Sequence, residues 1–285
     1  FFLFLSHKLF GIILGLPFEL IIGILAKSRA IKKHIILSNY SLSISNNSYF
    51  YLHNKILISN KNNLLHPKFF IKNILLKLSL NKAKLIFVQT DHMKDELVKF
   101  CIKNKVNYKR IIKLPINLPD ITEYKNKESI YPFQFFYPCD NLLHKRQNLA
   151  IESIVETNKT YKDIGLVITN FKHKRYKEIK YTKNLDRKKI NEFYSSSKAL
   201  LITSKEESLG LPILEAISHS IPVVAPYLPY AIELLGESGC YFYGEGINDI
   251  CKAIILCYEN YDLWKEKIEK RRIILNKNPC SHSYF

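Results

Sequence analysis

A two-domain α/β architecture built on doubly wound parallel sheets is what this sequence predicts, and three observations carry the prediction. Its 285 residues suffice for two domains of roughly 100–200 residues each. Short apolar runs alternate with stretches of helical period, and that alternation passes through the chain twice, as strand–helix–strand units do. Between the two passes lies a polar, charged stretch at 120–129 with few apolar residues, which reads as the boundary. The domains are therefore placed at 1–125 and 126–285.

In the first domain, 34–38 and 49–54 are short apolar runs that read as strands, and 69–80 carries apolar residues at helical spacing. A buried strand at 84–90 follows, then a helix capped by Asp91 and running to about 103, then a short strand at 111–115. The second domain restarts with a strand at 131–137 and a helix at 148–158. Strands at 165–169, 199–203 and 222–225 alternate with helices at 188–197 and 211–219. The chain closes on helices at 247–259 and 261–277.

Composition removes several classes. Hydrophobic residues make up 47% and charged residues 24%, which excludes a disordered or collagen-like chain. The formal net charge of +18 invites nucleic acid, an anionic membrane or a phosphorylated substrate. Only 7 of the 43 basic residues are Arg, however, so the excess is lysine spread over the chain and not an arginine-built patch. No helix-turn-helix, zinc or RRM-like string supports nucleic acid. Six cysteines form no C-x-x-C pair, which suits buried free thiols in a reducing cytoplasm. The apolar opening, 1–27, is interrupted by His7, Lys8, Pro17 and Glu19. Its longest charge-free stretch falls short of the roughly 18–20 residues a membrane crossing needs, and it reads as a buried or surface-seeking helix.

Chemistry concentrates between Thr203 and Ala225. A buried strand ends, a loop follows, and a helix begins near Leu211–Pro212, with Pro suited to a first turn whose N–H has no intrahelical acceptor. The N–H groups of Gly210, Leu211 and Ile213 are expected to be free at that helix start, an anion site at the carboxyl end of a parallel strand. Gly210 lets backbone approach a ligand. Glu207 lies in the loop above, and Glu215 in or near the first helical turn, where a carboxylate can accept bonds from ribose hydroxyls or merely suit the helix dipole.

The whole string resembles the signature of the group 1 retaining glycosyltransferases. Glu207 and Glu215 have that family's spacing, and Gly210-Leu211-Pro212, Leu214-Glu215-Ala216 and Pro222-Val223 match its pattern. Leu209 stands where Phe is usual and Ser220 where Gly is usual, the latter straining the turn before Pro222. Upstream, Tyr137-Pro138 followed by His144-Lys145 and Asn148 resembles the opening of the donor domain in a branch of bacterial mannosyl- or rhamnosyl-type transferases. The Arg that many relatives carry after that strand is absent, with Arg146 as a substitute. In the first domain Tyr51-Leu52-His53-Asn54 and Val88-Gln89-Thr90 resemble acceptor-side strands of the same branch. The family's opening strand and Gly-rich loop have no counterpart before His34, so the first domain reads as incomplete at its start.

The resemblance implies a GT-B fold, two Rossmann-like domains facing across a cleft, with 1–125 on the acceptor side and 126–285 binding the donor. It implies hexosyl transfer from a nucleotide-diphosphate sugar, with retention, to a glycan or lipid-linked acceptor in surface polysaccharide or lipopolysaccharide synthesis. The donor is a co-substrate; no other cofactor is expected, and without an Asp-x-Asp pair neither is a metal. Catalytic roles fall to Glu207, Lys145 and His53, and donor binding to Glu215, Gly210, Leu211, Pro212, Leu209 and Arg146. A cytoplasmic protein in peripheral contact with anionic membrane, and not with nucleic acid, is expected. The rival is an inactive, truncated nucleotide-sugar binder.

Overall fold

The computed structural model describes residues 34–36, 48–52, 55, 58, 67–121, 128–170 and 176–277. Contacts divide the chain into two compact units between Leu114 and Pro115, earlier than the boundary expected at 125/126. The reason is packing: Ile116 and Leu118 lie against the second core, and the Ser218 hydroxyl donates to the Pro119 carbonyl at 3.0 Å.

The first unit holds a parallel sheet in the order β1 (His34–Ile36), β2 (Ser48–Tyr51), β3 (Ala83–Val88), β4 (Ile111–Lys113). Helices α1 (Pro67–Lys82) and α2 (Asp91–Lys103) supply Leu76, Leu80, Met93, Leu97 and Phe100 to the core over Phe50, Ile86 and Val88. The cap of α2 is Thr90 and not Asp91: the Thr90 hydroxyl accepts from the Met93 N–H at 3.1 Å. Asp91 is the first helical residue, where its charge suits the positive helix start and pairs with Lys113. His53 and the apolar opening lie outside the described residues.

The second unit carries a six-stranded parallel sheet in the order β10-β9-β8-β5-β6-β7. Its strands are β5 (Phe133–Tyr137), β6 (Ile164–Thr169), β7 (Ile179–Thr182), β8 (Ala199–Leu201), β9 (Val223–Pro226) and β10 (Gly239–Phe242). The helices are α3 (Gln147–Asn158), α4 (Arg187–Ser196), α5 (Leu211–Ser218), α6 (Pro229–Leu235), α7 (Ile247–Glu259) and α8 (Tyr261–Lys277). Every residue of β5 and β6 is buried, as central strands covered on both faces must be. Phe136 stacks on Phe193 and meets Tyr194 edge-on, fixing α4 to one face; Phe133 meets Tyr258 and Tyr261 edge-on from α7 and α8. From α8, Arg271 donates to the Leu234 and Glu233 carbonyls at 2.6 and 2.8 Å, satisfying the end of α6. This is the classic Rossmann strand order, and its direction of travel reverses between β5 and β8. Ligands in such sheets bind at the carboxyl ends of the two strands flanking that reversal.

Ser220 turns the chain from α5 into β9 with φ 52°, a left-handed conformation unfavourable to any side chain, as the departure from Gly at this position implied. Its hydroxyl is buried without a hydrogen-bond partner, while its carbonyl accepts from Lys265 Nζ at 2.6 Å. Ser220→Gly removes the strain and the orphaned hydroxyl and keeps the carbonyl, so it is expected to stabilise the fold by about 1–2 kcal/mol. Urea denaturation of the two forms checks this.

Cys101, Cys139, Cys240, Cys251 and Cys257 are buried free thiols; Cys280 lies outside the described residues. Among the described residues no helix is long and apolar enough to cross a membrane.

Candidate active site

The strand reversal in the second unit gathers most of the residues singled out from sequence. Strand β5 ends at Tyr137, and the loop beyond it folds through a single 3-10 turn, Leu143–Lys145, before α3 begins. Strand β8 ends at Leu201, and the loop after it carries Glu207 to the start of α5. Hydrogen bonds lock these two loops together. Tyr137 donates its phenol to the Lys145 carbonyl at 2.6 Å, and the Thr203 hydroxyl donates to the same oxygen at 2.9 Å. The Lys205 N–H reaches the His144 carbonyl at 2.8 Å, and the Tyr230 phenol holds the Ser204 carbonyl at 2.7 Å. Tyr137 and Tyr230 are buried, and burial pushes both phenols far up, so each stays a neutral donor.

That frame brings Lys145 and Glu207 into one ion pair. Lys145 Nζ lies 2.6 Å from Glu207 Oε1, with side-chain exposures of 13% and 11%. One ammonium N–H goes to the carboxylate; a lysine has three. Arg146 sits beside it with φ 51°, donates Nε to the Thr203 carbonyl at 2.7 Å, and lies 3.7 Å from Glu245. Burial and the neighbouring Lys145 charge lower His144, which keeps that ring neutral. Burial pushes the thiol of Cys139, at the end of β5, up to about 12, so it is protonated and no nucleophile.

Gly210 caps α5 at φ 73°, and a methyl there would come within 3.0 Å of Leu234 Cδ1. The helix start is tighter than expected. Ile213 N–H bonds to the Gly210 carbonyl at 2.8 Å, so it is not free, and the tip consists of the Gly210 and Leu211 amides. Leu211 is half-exposed at that tip, Leu209 packs against the core, and the Pro212 carbonyl accepts from the Tyr194 phenol at 3.2 Å.

Glu215 lies in the second turn of α5, not the first, and is buried. Its partner, Arg187, opens α4 and was not expected to take part in the site. A carboxylate on an otherwise apolar helix face demands a cation, and Asp186, whose side chain accepts from Lys189 N–H, marks Arg187 as the first residue of the neighbouring helix. Those signals were in the sequence. Tyr194 completes the group, its phenol pushed far up by burial and by Glu215.

Behind Glu215, His219 stacks on Tyr194 at 5.3 Å and lies 3.4 Å from the Ser195 hydroxyl. Burial, then the Arg187 charge, brings its pKa down from 6.5 to about 4. Between those values the folded chain binds fewer protons than the unfolded one, so stability rises with pH across that window and is flat above it. His219→Gln is expected to shrink the difference between urea midpoints near pH 5 and pH 7, His144, also lowered, contributing what remains.

Residues 120–272 match the family model described as "Glycosyl transferases group 1", a span of more than half the chain that includes Lys145, Glu207 and Glu215. The serotype-specific mannosyltransferase WbdA of Escherichia coli is 31% identical over 106 residues, which cover 33% of this chain and 13% of that protein. Among solved structures, TarM of S. aureus, in complex with Fondaparinux, alpha-GlcNAc-glycerol and UDP, aligns with TM-score 0.64 at 17% identity over 85% of this chain and 50% of its own. The pneumococcal O-GlcNAc transferase GtfA, with UDP and GlcNAc, aligns at 0.64 and 15% over 90% and 58%. WaaG, a glycosyltransferase involved in lipopolysaccharide biosynthesis, aligns at 0.69 and 11% over 90% and 77%. At these identities the likeness is one of fold, the GT-B class. The chain thus spans a small part of the curated relatives it matches and half to three-quarters of these solved chains.

Proposed function

The chain belongs to the group 1 glycosyltransferases, and on that premise we propose that it moves a hexose from a nucleotide-diphosphate sugar to a glycan or lipid-linked acceptor, with retention at the anomeric carbon and without a metal. One observation carries this reading: Lys145 and Glu207 pair at the strand reversal of the second unit, on the loop that leads into the helix start at Gly210–Leu211. In the proposed reaction the bond between the anomeric carbon and the diphosphate breaks as the acceptor oxygen attacks on the same face. The departing diphosphate takes the acceptor's proton. Negative charge grows on the phosphates, and a positioned ammonium and helix tip stabilise it without reorganising. Lys145 has N–H groups left for phosphate oxygens beyond the one given to Glu207. Glu207 is assigned to the hydroxyls of the transferred sugar, and Glu215 to the ribose, its carboxylate oriented by Arg187.

The similarity to WbdA, a serotype-specific mannosyltransferase, supports mannose as the sugar. Contact with an anionic membrane is part of the same proposal, since a lipid-linked acceptor would lie there and the chain's +18 charge favours it.

A thermal-shift screen with UDP, GDP, UDP-glucose and GDP-mannose tests the reading. One base series should stabilise the protein selectively, by about 2.7 kcal/mol at a hundred times Kd. Equal indifference to all four would defeat it. Binding without transfer or donor hydrolysis would leave a nucleotide-sugar binder.

A further inference from the structure

Two tyrosine rings stand where the chain leaves the last two strands of the second sheet. Tyr227 follows β9 and Tyr243 follows β10, on the same carboxyl edge as Lys145 and Glu207. Tyr243 is 78% exposed and Tyr227 49%. Their centroids lie 4.8 Å apart at 37°, and Tyr227 meets Tyr241 edge-on at 5.3 Å. Tyr241 is anchored in turn, its hydroxyl donating to the Gly236 carbonyl at 2.7 Å, and the Tyr227 N–H bonds to Phe242 O at 2.9 Å. Two residues past Tyr243, Glu245 lies 2.8 Å from Lys205 and 3.7 Å from Arg146. The segment bearing the outer ring is therefore tied to the loops at the strand reversal.

Charge narrows the occupant. In a chain with 43 basic residues, none falls between Lys205 and Lys252, while Glu233, Glu237, Glu245 and Asp249 do. The cations that reach this stretch from outside are engaged, Lys205 and Arg146 with Glu245 and Arg271 with the Leu234 and Glu233 carbonyls, so the segment that carries the rings suits a neutral ligand better than phosphate, anionic lipid or nucleic acid. Two held phenol rings, apolar on their faces and polar at their tips, suit a neutral polyhydroxylated ring, whose C–H face packs on the aromatic and whose hydroxyls meet the phenols and acids.

We propose that Tyr227 and Tyr243 form a stacking platform for a neutral sugar ring of the acceptor glycan, beyond the sugar that receives the transferred hexose. This rests on the transferase reading above. The test uses the full chain and α-linked mannose oligosaccharides of one to four residues, with binding read by ligand-observed NMR. Affinity of the unaltered protein should rise with length. Tyr227→Ala with Tyr243→Ala should weaken the tetrasaccharide about tenfold and abolish the length dependence, while Tyr227→Phe with Tyr243→Phe keeps most of it. The nucleotide that stabilises the protein should bind all forms equally, which also verifies that the variants fold. An unchanged length dependence in the double Ala variant, or none in the unaltered protein, overturns the platform. So does loss of binding to phosphatidylglycerol vesicles with glycan affinity intact, which would make the rings a membrane contact. Failure of every nucleotide to bind, with the oligosaccharide results as expected, would defeat the donor assignment and leave the platform standing.

Discussion

Lys145→Ala is expected to lower sugar transfer by about 10²–10³-fold, the scale on which a single positioned charge stabiliser acts in a transition state. The same substitution strands the Glu207 carboxylate, 11% exposed, without its cation. Leaving one partner of a buried pair uncompensated costs about 3–5 kcal/mol, so lost activity alone would not separate catalysis from folding. The double variant Lys145→Met, Glu207→Gln separates them. It removes both charges and keeps both shapes, and exchange of a buried pair for neutral groups is often near neutral in stability. Urea denaturation should therefore place the double variant close to the unaltered protein and the single Ala variant well below it. Both should have lost transfer. A stable double variant that still transferred sugar would show the pair to be a structural tie between the two loops and nothing more.

Glu215→Ala should weaken nucleotide-diphosphate binding by about 1.5–3 kcal/mol, the value of a hydrogen bond to a charged group, or roughly 10- to 150-fold in Kd. Titration calorimetry with the nucleotide that stabilises the protein reads this directly. Arg187→Ala is expected to produce a smaller loss, because the arginine is half-exposed and its attraction is screened by solvent. The two losses should not add: if Arg187 acts by orienting Glu215, the double variant binds like Glu215→Ala alone. Unchanged nucleotide affinity in Glu215→Ala would return that carboxylate to a structural role beside Tyr194 and Arg187.

The elements with strong local signals were legible. The helices at 247–259 and 261–277 match α7 and α8 at both ends, the run at 131–137 contains β5, and the run at 165–169 misses only the first residue of β6. Strand β7 was not legible: only Ile179 in its four residues is buried, as befits the edge of the sheet, so it carries no run of apolar residues. Helix α6, seven residues opened by Pro229, is too short for a helical period to emerge, and what holds its end is Arg271 from a distant helix. The acceptor-side residue His53 lies outside what the structure describes, so that assignment rests on sequence alone.

What the sequence determined by itself was local and chemical: the α/β alternation, the helix start at Gly210–Pro212, the spacing of Glu207 and Glu215, and the strained Ser220 turn. Each depends on neighbours within a few residues, whose periodicity and backbone preferences can be read in one dimension. Only the tertiary structure decided the partners. Lys145 meets Glu207 across 62 positions and Arg187 meets Glu215 across 28. The reversal of strand order between β5 and β8 places both loops at one edge. Charges leave water only when a partner is supplied in three dimensions, and that condition is set by which strands lie side by side.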